Sequence, residues 1–120
     1  MTKVLILDVN AQQYRNRLAP GFPTVDFHAV QHAKDAESVI GGIEVIIGLG
    51  HHIPKSLIAA APKLKWVQAL TTGTDTLTVP GVLPPHVLLT STRGIHGPQM
   101  SELAFLNMIA LARDFRKMQR

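Results

Sequence analysis

Short apolar runs recur along the chain, each bounded by polar residues, glycine or proline. Five of them, at 4–9, 24–30, 45–48, 65–70 and 86–90, are rich in β-branched and aliphatic residues and are predicted as strands. The stretches between them, at 11–18, 33–40 and 54–60, have helical character. Asn10 stands where it can cap the first, Asp35 and Glu37 fall in the first turn of the second, and Pro54 suits the opening turn of the third. Strands alternating with helices predict right-handed crossovers and a parallel five-stranded sheet with helices on both faces, a flavodoxin-like α/β fold. Ligands in such sheets bind at the carboxyl ends of the strands. "TTGTD" (71–75) follows the fourth strand and "GHHIP" (50–54) follows the third, so both belong to the same rim.

The final segment, 98–120, departs from this rhythm. It continues without a breaker after Gly97 and Pro98, and from 103 to 112 it is apolar on nearly every side, interrupted only by Asn107. A helix covering one small sheet needs one apolar stripe and one polar face. This one requires a second surface, either another domain or another subunit.

Composition narrows the classes. A chain of 120 residues with 46% hydrophobic and 17% charged residues is one globular unit rather than a disordered or fibrous chain. It has no cysteine, which removes disulfides and thiolate metal sites and suits a cytoplasmic protein. The N-terminal apolar run from Val4 to Leu7 is too short for a signal peptide or a membrane span. The formal charge of +4 raises nucleic acid as a partner. The basic residues are scattered, however, except for Arg113, Arg116, Lys117 and Arg120 at the end of the last helix, where cations favour the helix terminus in any case. No aromatic residues are interleaved to stack bases.

Two segments, "LIAAAPKLKWVQALTTGTDTL" and "LLTSTRGIHGPQMSELAFLNMIALAR", carry a family likeness in the right order and spacing. The chain resembles the N-terminal part of the D-isomer-specific 2-hydroxyacid dehydrogenases. The resemblance implies a substrate-binding (catalytic) domain over 1–97 and an interdomain linking helix over 98–120. A Rossmann cofactor domain would come next, bringing NAD or NADP together with the arginine, glutamate and histidine that perform the chemistry. No such fingerprint is present; "GLGHHI" lacks a third glycine and opens no long helix. The expectation is therefore a truncated dehydrogenase segment that binds no cofactor by itself, contains no catalytic residue and is inactive alone. Its expected partners are a small 2-oxo or 2-hydroxy acid and a second copy, paired as a homodimer through the C-terminal helix, with no nucleic acid, membrane or metal.

By the same resemblance, the backbone N–H groups of Thr72 and Gly73 hold the substrate carboxylate, while Thr71, Thr74 and Asp75 shape the turn. The plain alternative is an ordinary strand-ending turn. Some relatives place an arginine at the end of the third strand; here Gly48 stands there, followed by His51 and His52. His51 is a candidate anion donor or a solvated loop residue. His96 falls where relatives carry a substrate-facing asparagine, or is simply a histidine beside a helix start. Met100 matches an apolar position against the nicotinamide, or is a core residue. Glu102 is expected to pair across the hinge, and Trp66, within a strand, to lie in the core. The competing functional class is a free-standing flavodoxin-like binding or receiver module. Such a receiver needs clustered acids at the strand ends, where only Asp8 and Asp75 are available.

Overall fold

The computed structural model describes residues 1–119. Five strands, β1 (Thr2–Leu7), β2 (Val25–Val30), β3 (Val45–Gly48), β4 (Trp66–Ala69) and β5 (Leu88–Ser91), form one sheet in the order β2-β1-β3-β4-β5. All four pairings are parallel, as expected for an α/β sheet. The order reverses between β1 and β3, and the loops that follow the strands emerge along one rim. The expected strand positions shift by one or two residues at several ends: Val9, Leu70, His86 and Val87 lie outside the ladders.

Strand alternation divides the core in two. Leu5, Leu7, Ile46, Val67 and Ala69 point to one face, where Ile40, Ile43, Leu57, Ile58, Leu64 and Leu77 close over them. Val4, Ile6, Phe27 and Val45 point to the other, against Ala11 and Leu18 of helix α1 (Ala11–Leu18). Each fully buried aliphatic side chain contributes roughly 1.5–3 kcal/mol of transfer free energy, so the larger first face dominates the stability.

The helices differ from expectation in instructive ways. The helix expected over 33–40 is instead two 3-10 turns, Ala33–Ala36 and Ile40–Gly42. Ala36, Ile40 and Ile43 must each reach the core, and β-branched Val39 and Ile40 followed by two glycines do not sustain an α-helix. Pro54 immediately precedes α2 (Lys55–Ala59). Asn10 makes no side-chain cap; its own N–H donates to Asp8 Oδ1 at 2.8 Å, and Asp8, only 5% exposed, builds the turn after β1.

Trp66 is not in the core. Because Val67 and Ala69 face α2, Trp66 and Gln68 take the opposite face, and α1 packs on β1 and β2 without reaching β4. The indole is 38% exposed and donates to Thr90 Oγ1 at 2.7 Å. The C-terminal segment is also not continuous: α3 (Gly97–Ala112) ends where Asp114 adopts a left-handed backbone with φ of 48°, and α4 (Phe115–Met118) follows. No residue of α3 is buried. The radius of gyration is 18.7 Å, against about 14 Å for a compact chain of this length, because α3 extends away from the sheet. Of the basic cluster, Arg120 lies outside the described residues. Among those residues no helix is long and apolar enough to cross a membrane.

Gly48 pairs with Leu7 in register, and a β-carbon there would sit 2.8 Å from the Leu7 carbonyl oxygen. Gly48→Ala should therefore cost about 1–3 kcal/mol in urea denaturation. Gly41→Ala, where a β-carbon meets nothing within 4 Å, should change stability by no more than about 0.5 kcal/mol. Equal stability of the two variants would contradict the packing between β1 and β3.

Candidate functional site

At the carboxyl ends of β3 and β4 two loops are joined through one residue. The β3 loop makes a 3-10 turn at Gly50–His52, and the β4 loop runs through Thr71–Thr76. Gly50 donates its N–H to Thr71 Oγ1 at 3.3 Å, and its carbonyl accepts from Thr76 Oγ1 at 3.1 Å. A β-carbon at Gly50 would lie 3.1 Å from Thr71 Oγ1 and 3.6 Å from the Gly73 carbonyl oxygen, so any larger residue would press on the Thr71 hydroxyl that joins the loops.

The β4 loop is held at other points as well. Thr71 Oγ1 donates to the Gly73 carbonyl at 2.7 Å, and Thr72 Oγ1 donates to the Thr92 carbonyl at 3.0 Å. Leu77, fully buried, anchors the far end in the core, with its N–H donating to Thr74 O at 2.9 Å. These threonine hydroxyls are thus committed to building the loop.

The main-chain donors of its crest are left over. Among the described residues, the N–H groups of Thr72, Gly73 and Thr74 have no protein acceptor. At Gly73 a β-carbon would meet only Asp75 Oδ2, at 3.9 Å, and the approach to the amides is otherwise open. A cavity of 310 Å³ lies here, lined by His51, Thr71, Gly73, Asp75 and Thr76. Consecutive unclaimed amides in a turn make a concavity suited to a small anion. The Asp75 carboxylate, beside Gly73, works against an anion at this crest and lowers the affinity its amides offer.

His51 therefore shares the cavity with Gly73, and Thr72 stands next to it on the same loop. His51 packs edge-on to His52 with ring centroids 4.2 Å apart, and His52 lines a separate 330 Å³ cavity with His32. His96 and Met100 are exposed at the start of α3 and do not line the cavity of Gly73. Met100 is thus not a core residue, and Glu102, also exposed, forms no ion pair among the described residues. No group of three potential metal ligands occurs among the described residues.

Residues 48–53 pack closely on their neighbours. Gly48 meets the Leu7 carbonyl and Gly50 the Thr71 hydroxyl, and a three-residue 3-10 turn, Gly50–His52, follows the strand. A larger groove of 440 Å³ lies between the turn at Ala33–Ala36 and α2, lined by Lys34, Glu37, Ile40, Pro54, Ser56 and Leu57 among others. Sequence reasoning missed Gly50 and Thr76. The one available signal was the pair of glycines flanking Leu49, which meets the failed dinucleotide fingerprint but marks close backbone approach instead.

No family model matches the sequence, and neither does any curated protein. Solved structures do match. A D-isomer specific 2-hydroxyacid dehydrogenase family protein from Aeromonas salmonicida subsp. salmonicida A449 is 30% identical, with a TM-score of 0.87 over 98% of this chain and 39% of its own. Phosphoglycerate dehydrogenase from Lactobacillus plantarum is 26% identical, with a TM-score of 0.56 over 95% of this chain and 36% of its own. An NAD-dependent formate dehydrogenase from Staphylococcus aureus, solved with NAD, shares the fold at 17% identity and a TM-score of 0.72, over 100% of this chain and 41% of its own. The chain spans about two fifths of the length of these structures.

Gly50→Ala should push the two loops apart and speed amide hydrogen exchange across Thr71–Thr76, while exchange in β1 stays unchanged. Thr76→Val should cost about 1 kcal/mol through loss of its bond to the Gly50 carbonyl. Unaltered exchange in the β4 loop of Gly50→Ala would contradict the coupling of the loops.

Proposed function

We propose, on the premise that this chain resembles in fold and sequence a segment of the D-isomer specific 2-hydroxyacid dehydrogenases, that it is the substrate-side part of an NAD(P)-dependent oxidoreductase. Its role is to hold the carboxylate of a small 2-oxo or 2-hydroxy acid. The observation that supports this best is the pair of unclaimed amides at Thr72 and Gly73 on the β4 loop, beside a cavity at the strand ends that Gly73 lines. Main-chain N–H groups suit this task because their direction is fixed before the ligand arrives, so little ordering is lost on binding. His51 adds a donor from the facing loop.

In this account residues 1–97 are the substrate domain and 98–120 the link to a cofactor domain of the parent protein. That further domain binds NAD or NADP and supplies the carbonyl-polarising and proton-donating groups for reduction of a 2-oxo acid to its D-2-hydroxy acid. His96 and Met100 stand at the start of the link, where the reacting end of substrate and cofactor would meet. The parent works in the cytoplasm, and α3 carries a homodimer contact.

The test uses the isotopically labelled chain and oxalate. The amide signals of Thr72 and Gly73 should move on titration, and Gly73→Val should abolish the response because its side chain fills the approach. Asp75→Asn should tighten oxalate binding about fivefold, the worth in water of removing a unit like charge near 4 Å. Movement of other signals while Thr72 and Gly73 stay still would put the site elsewhere. The chain alone should show no NADH-dependent reduction of glyoxylate, hydroxypyruvate or pyruvate; turnover above a contaminant control would contradict the assignment of the chemistry to another domain.

A further inference from the structure

The end of β5 grips the β4 loop through the main chain of one residue, Thr92. Its N–H donates to the Thr71 carbonyl at 3.2 Å while also bonding the Ala69 carbonyl at 3.1 Å, which carries the β4–β5 ladder one residue past Ser91. Its carbonyl accepts from Thr72 Oγ1 at 3.0 Å. Thr92 thus holds the chain on both sides of the peptide unit that carries the Thr72 N–H.

Peptide geometry turns this clasp into a direction. The Thr71–Thr72 peptide is trans, so its C=O and N–H point opposite ways within one plane. With the carbonyl held toward β5 by Thr92, the Thr72 N–H is aimed away from β5, where it meets no protein acceptor among the described residues. Rotating this peptide would break the bond from Thr92, and the bond from the Thr72 hydroxyl to the Thr92 carbonyl holds the following residue in place.

Thr92 is itself braced by side chains that β4 and β5 carry on one face. Its Oγ1 donates to the Ala69 carbonyl at 3.2 Å and accepts from Gln68 Nε2 at 3.4 Å. Gln68 Oε1 in turn accepts from Thr90 Oγ1, and Thr90 accepts the indole N–H of Trp66 at 2.7 Å. The polar residues of this half of the sheet therefore form one hydrogen-bonded run that ends at the clasp.

We propose that Thr92 is a positioning residue for carboxylate binding: its N–H and carbonyl, together with the Thr72 hydroxyl, fix the direction of the Thr72 amide before the anion arrives. This rests on the reading that the amides of Thr72 and Gly73 hold a carboxylate, and it adds that the first of those donors is aimed from β5 rather than by the loop alone.

The test removes the clasp and keeps the donor. Thr72→Val deletes the hydroxyl that bonds the Thr92 carbonyl and retains the amide; Thr72→Ser retains both. Titrated with oxalate, the labelled chain should bind about fivefold more weakly as Thr72→Val, the worth of about one hydrogen bond, and within about twofold of wild type as Thr72→Ser. Thr72 is exposed, so the urea midpoint of Thr72→Val should stay near that of the wild type, which separates positioning from folding. Without ligand, the carbonyl-carbon signal of Thr92 should move in Thr72→Val and exchange of its N–H should quicken. Thr92→Val, which removes the brace to Ala69 and leaves both main-chain groups, should weaken oxalate binding in the same direction. Wild-type affinity in Thr72→Val, with oxalate still moving the Thr72 and Gly73 signals, would overturn the positioning role and leave the carboxylate site standing. An equal loss in Thr72→Val and Thr72→Ser would also overturn it, because the hydroxyl would not be responsible. Oxalate that moves neither amide in the wild type would remove the site itself, and this role with it.

Discussion

The candidate site depends on two glycines at which the chain packs closely, against backbone at Gly48 and against the Thr71 hydroxyl at Gly50. At Gly48 the end of β3 lies against the Leu7 carbonyl of β1, which brings the two central strands together at the point where the sheet order reverses. At Gly50 the β3 loop meets the β4 loop, and both polar groups of its backbone are satisfied by threonine hydroxyls. The crest at Thr72 and Gly73 is therefore positioned by its neighbours, and its amides are left free because the side chains around it supply the internal bonds. Gly73 itself is not required by conformation: its φ is not in the left-handed region, and its value lies in the open approach it leaves.

The second constraint is one of coverage. A five-stranded parallel sheet has more surface than the single helix α1 can roof, and α3 is too apolar to stand in water on all sides. The same imbalance accounts for the exposed Trp66 and accompanies the long dimension of the molecule. The amides of Thr72 and Gly73 lie on the β4 loop, which is anchored in the opposite core through Leu77.

Much of the fold was legible in the sequence because the strands are nearly continuous aliphatic runs and a parallel sheet buries both faces of its centre. Ala11–Leu18 was readable for the same kind of reason, as an uninterrupted helical stretch between two strands. The segment 33–40 was not, because periodicity alone cannot separate a one-turn 3-10 helix from a short α-helix when buried anchors fix the path. Trp66 was misassigned to the core because strand membership was legible and strand parity was not: which face a residue takes depends on its neighbours in the sheet, and which face is covered depends on the helices. The break at Asp114 gave no signal of glycine or proline. Of the site, the "TTGTD" turn was legible through resemblance, but its partner at Gly50 was not, since close approach between loops 21 residues apart leaves no local pattern.

The central claim is that the β3 and β4 loops are built in advance to hold a small carboxylate on main-chain donors. A crystal structure of the chain grown with oxalate tests it most directly. The account predicts a carboxylate within hydrogen-bond distance of the Thr72 and Gly73 amides, with the Gly50 bonds to Thr71 and Thr76 unchanged. Oxalate bound only elsewhere, or a β4 loop that must refold to receive it, would contradict the account.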